Sequence, residues 1–313
     1  MIGKYLILLI GTIACATAVI FIRMSYAPAA VLCAGRLLMA VVLLSPALVA
    51  HWKRRPDGVT ARDVLRRTFP GAALLAVHFV TWTIGARMTS AANSSLVVNL
   101  VPIAMPFMLL AIVGERVRRH EVIGTIIAMV GVLILSVPKV RTDSGDLRGD
   151  AVCFGSMLLV AAYLAIGKLL RRDIPLWLYL VPLYAQAGLM CLAYAVLTGG
   201  VSSLMMPMKE YGWLLALAAV PTIVGHSSLN YCMTHLRGQV VSVASLLQFA
   251  FAGVMAYFVW GEKPPVQLYP ASVLVIVGSL VCIGLFSLRK KPDDDDAARE
   301  LIDPRTPIAS EAS

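Results

Sequence analysis

The sequence predicts an all-α integral membrane protein with ten transmembrane helices built from two inverted five-helix repeats. Hydrophobic residues make up 59% of the 313 residues and charged residues only 14%, whereas soluble domains average roughly 45–50% and 25%. The apolar residues fall in blocks of about 17–25, enough for a helix to cross roughly 30 Å of hydrocarbon. A shift of 147 residues superposes one half of the sequence on the other.

The apolar blocks are continuous rather than alternating, which indicates helices and not the strands of a barrel. The first block follows Lys4 and continues without a small-residue cleavage site, so we predict a retained helix rather than a signal peptide. The predicted spans are 5–22, 30–50, 69–86, 93–113, 121–137, 150–167, 176–198, 212–234, 240–260 and 268–287.

The basic residues predict the orientation of these spans. An even number of spans places both termini on one side of the membrane. If that side is the cytoplasm, the cytoplasmic segments hold seventeen Lys and Arg residues and the outer segments hold seven. Basic segments are retained in the cytoplasm, so we predict a multi-pass protein of the cytoplasmic (inner) membrane with both termini in the cytoplasm. The net charge of +10 lies in these short runs without a nucleic-acid motif. Membrane lipids, not nucleic acids, are therefore the predicted partners.

The internal repeat predicts the domain organisation. The two five-helix units cover residues 4–137 and 150–287. Residues 288–313 are acidic and poor in apolar residues, so we predict a disordered cytoplasmic tail there. The shift brings Glu115 onto Glu262. Because five is an odd number of spans, the second unit inserts upside down, so these two residues are expected at opposite faces. Inverted repeats are typical of secondary transporters, whose binding site lies at the midplane between the halves.

Polar residues at mid-membrane depth mark either contacts between helices or a hydrated cavity, because an unpaired polar group in hydrocarbon is costly. Two i, i+4 pairs, in the third and eighth spans, and two near-equivalent amides, in the fourth and ninth, meet this description. They are His78 with Trp82, His226 with Asn230, and Asn99 with Gln248. We predict that these six residues line one substrate cavity, with hydrogen bonding between helices as the alternative for each.

Other polar and helix-breaking residues have predicted structural roles. Pro102 and Pro106 remove backbone donors from the fourth span and are expected to bend it, with gating as a further role. Arg36 lies about 9 Å inside the outer end of its span. It is expected to anchor the helix, either at the headgroups or to a buried acceptor, with recognition of an anionic substrate as the alternative. Glu115 and Glu262 are expected to form boundary ion pairs rather than to carry protons.

Short motifs recur in the same order in both halves. In the first half they are Arg36-Leu37-Leu38-Met39-Ala40, His78-Phe79-x-x-Trp82, Ala91-Ala92-Asn93-Ser94-Ser95, Pro102, Gly114-Glu115-Arg116 and the helix from Gly124 to Gly131. In the second half they are Gly225-His226, Asn230-Tyr231, Val241-Ser242, Gly261-Glu262-Lys263 and Gly278. Over nearly the whole chain this pattern resembles the EamA-type members of the drug/metabolite transporter superfamily.

The resemblance implies a ten-helix carrier that moves small metabolites, often outward, by alternating access. Members of this family often have a proline or a Glu-Pro pair in the ninth helix, whereas this chain has Gln248-Phe249. The resemblance therefore does not identify a particular substrate for this chain. The sequence is compatible with both a monomer and a homodimer.

No catalytic or metal-binding pattern is present in the sequence. Gly225-His226-Ser227-Ser228-Leu229 lacks the second glycine of G-x-S-x-G, and His120-Glu121-Val122-Ile123-Gly124 lacks the second histidine of H-E-x-x-H. The six cysteines lie inside apolar blocks without metal-ligand spacing and are predicted to serve packing. We therefore predict neither an enzyme nor a cofactor. A channel or facilitator pore is the competing class, although no filter segment is apparent.

Overall fold

The computed structural model describes residues 2–55, 58–89, 91–142, 147–171, 173–199 and 206–285, and all regular structure in these ranges is helical. The helices are α1 (Ile2–Met24), α2 (Ala29–Trp52), α3 (Ala61–Met88), α4 (Ala91–Val98, Val101–Met108 and a π-helical turn at Leu109–Val113), α5 (Arg119–Thr142), α6 (Leu147–Leu170), α7 (Leu176–Leu197), α8 (Met208–His235), α9 (Gly238–Ser245 and Gln248–Trp260) and α10 (Leu268–Ile283). The predicted tail at 288–313 lies outside the described residues.

The ten predicted spans correspond one to one with these helices. Within the described ranges, eight helices are long and apolar enough to cross a membrane, and α10 is a shorter apolar helix. The span predicted at 268–287 runs past the end of its helix, because Gly284 has a φ of +81° and closes α10. This left-handed conformation favours glycine and commonly ends helices.

The third helix begins eight residues before its predicted span at 69–86. Thr60 and Asp63 form a capping box at its start: the Asp63 amide donates to Thr60 Oγ1 at 3.2 Å, and the Thr60 amide donates to Asp63 Oδ2 at 3.1 Å. The intervening arginines depress the hydropathy, so the apolar block begins later than the helix does. The first turns of α3 therefore extend beyond the apolar span.

The main contacts between a helix of the first half and a helix of the second half have equivalents in which the two halves exchange roles. Helix α5 packs on α10 and α2 packs on α7, and each of these pairs joins equivalent helices of the two units. Helix α3 packs on α6, and its counterpart contact joins α8 to α1. This pattern is what an approximate two-fold axis between the halves produces, in agreement with the predicted inverted repeat.

Close backbone contacts between α5 and α10 show the same symmetry at single residues. A Cβ added to Gly124 lies 2.4 Å from the Gly278 carbonyl oxygen, and one added to Gly131 lies 2.7 Å from the Ala271 carbonyl oxygen. The 147-residue shift places Gly124 on Ala271 and Gly131 on Gly278. The two contacts are therefore images of each other, and small residues allow both helices to approach this closely.

Helices α4 and α9 are interrupted at equivalent positions. In α4 the interruption lies at Asn99-Leu100, and in α9 it lies at Leu246-Leu247, which is 147 residues later. At both interruptions the backbone turns to i, i−3 hydrogen bonding: Leu100 N donates to the Val97 oxygen at 3.2 Å and Leu247 N to the Ala244 oxygen at 3.1 Å. The two helices thus have matching bends near their centres.

The prolines account for only part of this bending. Pro102 follows the interruption in α4, but Phe249 holds the equivalent position in α9, so a proline is not required for the break. Pro106 has no N–H to offer the Pro102 carbonyl. That carbonyl instead accepts a hydrogen bond from Gln239 Nε2 of α9 at 3.1 Å. The backbone group freed by one proline therefore joins the two halves.

Candidate functional site

A cavity lies between the two halves and is bordered by α1, α3, α4, α6, α8 and α9. Five of the six residues predicted to line a cavity do so: His78, Trp82, Asn99, His226 and Gln248. The cavity has a volume of about 50 Å³. A cavity of this size has room for a few water molecules but not for a metabolite, so substrate binding requires it to expand.

His78 is held in one orientation by Ser156 of α6. Its Nδ1 lies 2.9 Å from the Ser156 carbonyl oxygen and 2.8 Å from Ser156 Oγ, which itself donates to the His78 carbonyl at 2.9 Å. Since a carbonyl only accepts, Nδ1 carries the proton in the neutral ring and Nε2 remains as an acceptor. Sequence reasoning missed Ser156, because it is one small hydroxyl inside an apolar run.

His78 and Trp82 form a flat aromatic surface in the cavity. Their ring planes are nearly parallel, at 2°, with centroids 6.2 Å apart. The Trp82 Nε1 donor has no hydrogen-bond partner among the described residues. This surface therefore offers a stacking platform with one free donor to a bound molecule.

His226 lines the cavity, but Asn230 does not. His226 ends a π-helical segment of α8, Ala218–His226, and its Nδ1 has no partner among the described residues; π-helical segments are frequent at functional sites. Asn230 Nδ2 donates to the Tyr163 hydroxyl at 2.7 Å and to the His226 carbonyl at 2.9 Å. The prediction that Asn230 lines the cavity is therefore wrong. Asn230 lies one helical turn further along α8 than His226, and its hydrogen bond to Tyr163 joins α8 to α6.

Asn99 and Gln248 lie at the interruptions of their helices. Asn99 is 5% exposed, and its Nδ2 donates to the Ser95 carbonyl of the preceding turn at 2.6 Å. Gln248 is the first residue of the second segment of α9. Both amides border the cavity, so the helix breaks place hydrogen-bonding side chains at its edge.

Arg36 is buried inside the bundle and does not reach the headgroups, one of the two anchoring modes that we expected. It is 1% exposed, and its Nε and Nη2 donate to Thr222 Oγ1 of α8 at 3.0 and 2.8 Å. Its guanidinium carbon lies 4.1 Å from the centroid of the Phe79 ring. The buried acceptor is thus Thr222, a residue that sequence reasoning did not identify.

Glu115 lies at the end of the bundle where α1 begins, which we call the N-terminal face. Its Oε2 lies 2.6 Å from Lys168 Nζ, in the last turn of α6, and its Oε1 accepts from the Gly238 amide at 3.1 Å. The side chains of Glu115 and Lys168 are only 15% and 11% exposed. Arg237 lies 4.0 Å from Glu115 and also pairs with the buried Glu121. This cluster joins the two halves.

Glu262 lies at the other end of the bundle, which we call the opposite face. It pairs with Arg23, in the last turn of α1, at 3.3 Å, and the side chains are 47% and 31% exposed. Gly114 and Gly261 precede the two glutamates with φ values of +74° and +69° and end α4 and α9 in the same way. The two ion pairs are therefore repeat-related, each joining a first helix to the fourth helix of the other unit.

The ten helices form two inverted halves with a cavity and buried polar groups between them, which defines a polytopic membrane protein. The EamA-like transporter family model matches residues 2–137 and again 147–284. The chain therefore belongs to the EamA-like transporter family, whose members are transporters and not enzymes.

Similar proteins carry transporter names. A protein of Archaeoglobus fulgidus named "uncharacterized transporter" is 24% identical over 223 residues, which cover 70% of this chain and 78% of the relative. The "uncharacterized transporter YyaM" of Bacillus subtilis is 21% identical over 222 residues, covering 69% and 72%. A crystal structure superposes with a TM-score of 0.72 at 16% identity over 92% of this chain and 99% of that one, which supports the fold alone.

Proposed function

We propose that this protein is a carrier that moves a small polar or amphipathic metabolite through the central cavity by alternating access. The proposal rests on two ion pairs that are related by the repeat. Lys168–Glu115 lies at the N-terminal face and Arg23–Glu262 at the opposite face. The cavity lies between them. Each pair joins the two halves, so breaking one pair while keeping the other opens the cavity to one side at a time.

The two ion pairs differ in length and in burial, so they close the two ends of the bundle with unequal strength. The Lys168–Glu115 pair is short and largely buried, and Arg237 and the Gly238 amide reinforce it. The Arg23–Glu262 pair is longer and half-exposed. Exposed pairs contribute little to stability, so the opposite face is the one that opens more readily from this conformation.

Outward transport of the substrate is part of the proposal and rests on the resemblance to family members that export metabolites. Charge bias supports a cytoplasmic N-terminal face. In that orientation, the firmly closed end faces the cytoplasm, and the substrate is released at the opposite face. Among the described residues, the buried carboxylates Glu121 and Glu210 lie at helix ends and not at mid-membrane depth. This position favours exchange, facilitated diffusion or histidine protonation over a carboxylate proton relay.

The competing function is a channel or facilitator pore. In a channel, both ends of the pathway are open at the same time, and repeat-related closures are not needed. The proposal is therefore tested by asking whether opening one end affects the other.

The test uses Cys15, which lines the cavity, as a reporter of access. In a protein that keeps only Cys15 among its six cysteines, reconstituted in vesicles, a membrane-impermeant maleimide is applied to one face at a time. Glu115→Gln is expected to raise labelling from the N-terminal face at least five-fold, because even the roughly 1 kcal/mol of an exposed pair shifts a two-state equilibrium by about that factor. Labelling from the opposite face should fall.

Glu262→Gln is the matched control, since it removes the equivalent carboxylate of the other repeat. It should raise labelling from the opposite face only. Simultaneous increases from both faces in either variant would favour a pore. Unchanged labelling in both variants would contradict a gating role for these ion pairs.

A further inference from the structure

Arg36 carries a positive charge in the interior of the bundle without an anionic partner among the described residues. It is 1% exposed, and the guanidinium stays protonated in proteins. The ion pairs of the described residues lie at the two ends of the bundle and do not include it. A buried charge is costly unless it is paired, so this charge calls for a partner that comes from outside the chain.

The guanidinium also has a donor that no described group accepts. Nε and Nη2 both donate to Thr222 Oγ1, whose own hydroxyl donates to the Leu217 carbonyl at 2.8 Å. Nη1 is buried and has no hydrogen-bond partner among the described residues. A single neutral oxygen therefore satisfies two of the donors and does not neutralise the charge. An orphaned donor on a buried cation fits a missing anion.

One aromatic side chain separates this donor from the cavity. The guanidinium lies 4.1 Å from the centroid of the fully buried Phe79 ring, and the Phe79 ring meets His226 edge-on at 5.0 Å. His226 lines the cavity with an unpartnered Nδ1. Because the cavity must expand to take a metabolite, rotation of Phe79 away from the guanidinium would bring Arg36 into contact with it.

We propose that Arg36 forms the anion-binding end of the substrate site and that the metabolite is a small organic monocarboxylate. The inference rests on the proposed carrier function. The carboxylate accepts from Nη1 and Nη2 and replaces the contact of the guanidinium with the Phe79 ring, in the bidentate geometry that arginine favours. The body of the molecule then lies against Trp82 and the apolar residues Val98 and Leu229, which also line the cavity.

The charge of the site selects a monoanion. The described residues that line the cavity include no lysine or arginine, so Arg36 is the one fixed positive charge that Phe79 rotation adds. A phosphate ester or a dicarboxylate would bring a second negative charge into a place with no second fixed cation to pair with it. The mostly apolar lining favours a molecule with an apolar or amphipathic body.

The test measures thermal unfolding of the purified full-length protein with matched carboxylates and amides. The pairs are benzoate with benzamide, hexanoate with hexanamide, 3-methylbutanoate with 3-methylbutanamide, and lactate with lactamide; succinate and inorganic phosphate are the dianion probes. At least one monocarboxylate is expected to raise the melting temperature about 2 °C or more above its amide. The dianions should give no such rise. Arg36→Gln should abolish the difference, whereas Arg36→Lys should keep part of it.

Thr222 supplies a second test in case Arg36→Gln does not fold. Thr222→Asp places a carboxylate beside the guanidinium and should abolish the response to added carboxylates, while the isosteric, uncharged Thr222→Asn should keep it. Carboxylates that stabilise both variants equally, or wild-type protein that does not distinguish any carboxylate from its amide, would overturn the inference. The Cys15 labelling experiment needs no carboxylate. Alternating access without carboxylate discrimination would therefore leave the carrier function intact and remove only the anion site.

Discussion

At the scale of single residues, the cavity joins one aromatic platform to several groups with free hydrogen-bonding capacity. His78 is fixed by Ser156, so its ring does not have to be ordered when a substrate binds. Trp82 stacks on that ring and keeps a free Nε1 donor. Preorganised aromatic surfaces of this kind lower the entropic cost of binding a flat or apolar group.

Replacement of Trp82 by alanine should reduce export about ten-fold, because the loss of a stacked aromatic contact costs about 1–1.5 kcal/mol. The measurement compares metabolites that accumulate in the medium of cells producing wild-type or variant protein, normalised to the amount of protein in the membrane. Trp177→Ala is the control, since Trp177 lies at the start of α7 and does not line the cavity. Equal losses in the two variants would contradict the proposed platform.

The sequence predicted some of these residues and missed others for physical reasons. His78, Trp82 and His226 were found because a ring with a polar atom is conspicuous in an apolar run. Ser156 and Thr222 were missed, since small hydroxyls often bond their own helix and give no signal of a distant partner. Asn230 was misplaced because spacing along a helix identifies its face, but not whether the neighbouring Tyr163 fills the space in front of it.

At the scale of elements, the interruptions in α4 and α9 are the feature that the repeat explains best. Proline chemistry predicted a bend near Pro102 in α4 but gave no reason to expect one near Phe249 in α9. The repeat shift alone relates the two breaks. Their hydrogen-bonding side chains, Asn99 and Gln248, lie at the cavity edge as a result.

The contact between α5 and α10 predicts a sharp effect of a single methyl group. Gly124→Ala places a Cβ 2.4 Å from the Gly278 carbonyl oxygen, a backbone atom that moves only if the helices separate. Overpacking of this kind costs about 1–3 kcal/mol, so the melting temperature of the purified protein should fall by several degrees.

Gly155→Ala is the matched control for this substitution, because Gly155 lies in the middle of α6 and has no heavy atom within 4 Å of an added Cβ. Alanine has the higher helix propensity, so stability there should stay the same or rise slightly. A similar fall for both variants would show that the close contact with α10 is not the cause.

At the scale of the whole molecule, the ten-helix fold and its inverted halves were predictable because hydrocarbon imposes length and continuity on each span. The exact helix ends were not predictable from hydropathy, as the capping box of α3 demonstrates. The partners of Glu115 and Glu262 were not predictable either. We expected boundary ion pairs, but the basic residues involved, Lys168 and Arg23, are far away in the sequence.

The inverted topology predicts that residues 115 and 262 lie on different sides of the membrane. Single cysteines at these two positions, in a protein without other cysteines, should react with an impermeant maleimide from opposite sides. From the charge bias, position 115 should react from the cytoplasmic side and position 262 from the outside. Reaction of both positions from one side would refute the inverted arrangement.

The glycine contact between α5 and α10 bears on where the energy barrier lies in the rocking motion that the proposed alternating access requires. Where Gly124 faces Gly278, the backbones of the two helices lie in direct contact, with only the small side chains of Ala128 and Cys282 beside them. In the proposed motion, atoms at this contact between equivalent helices would move the least, because they lie near the approximate two-fold axis. Most of the activation energy of the proposed motion would then arise at the two ends of the bundle, where the ion pairs must separate and be rehydrated.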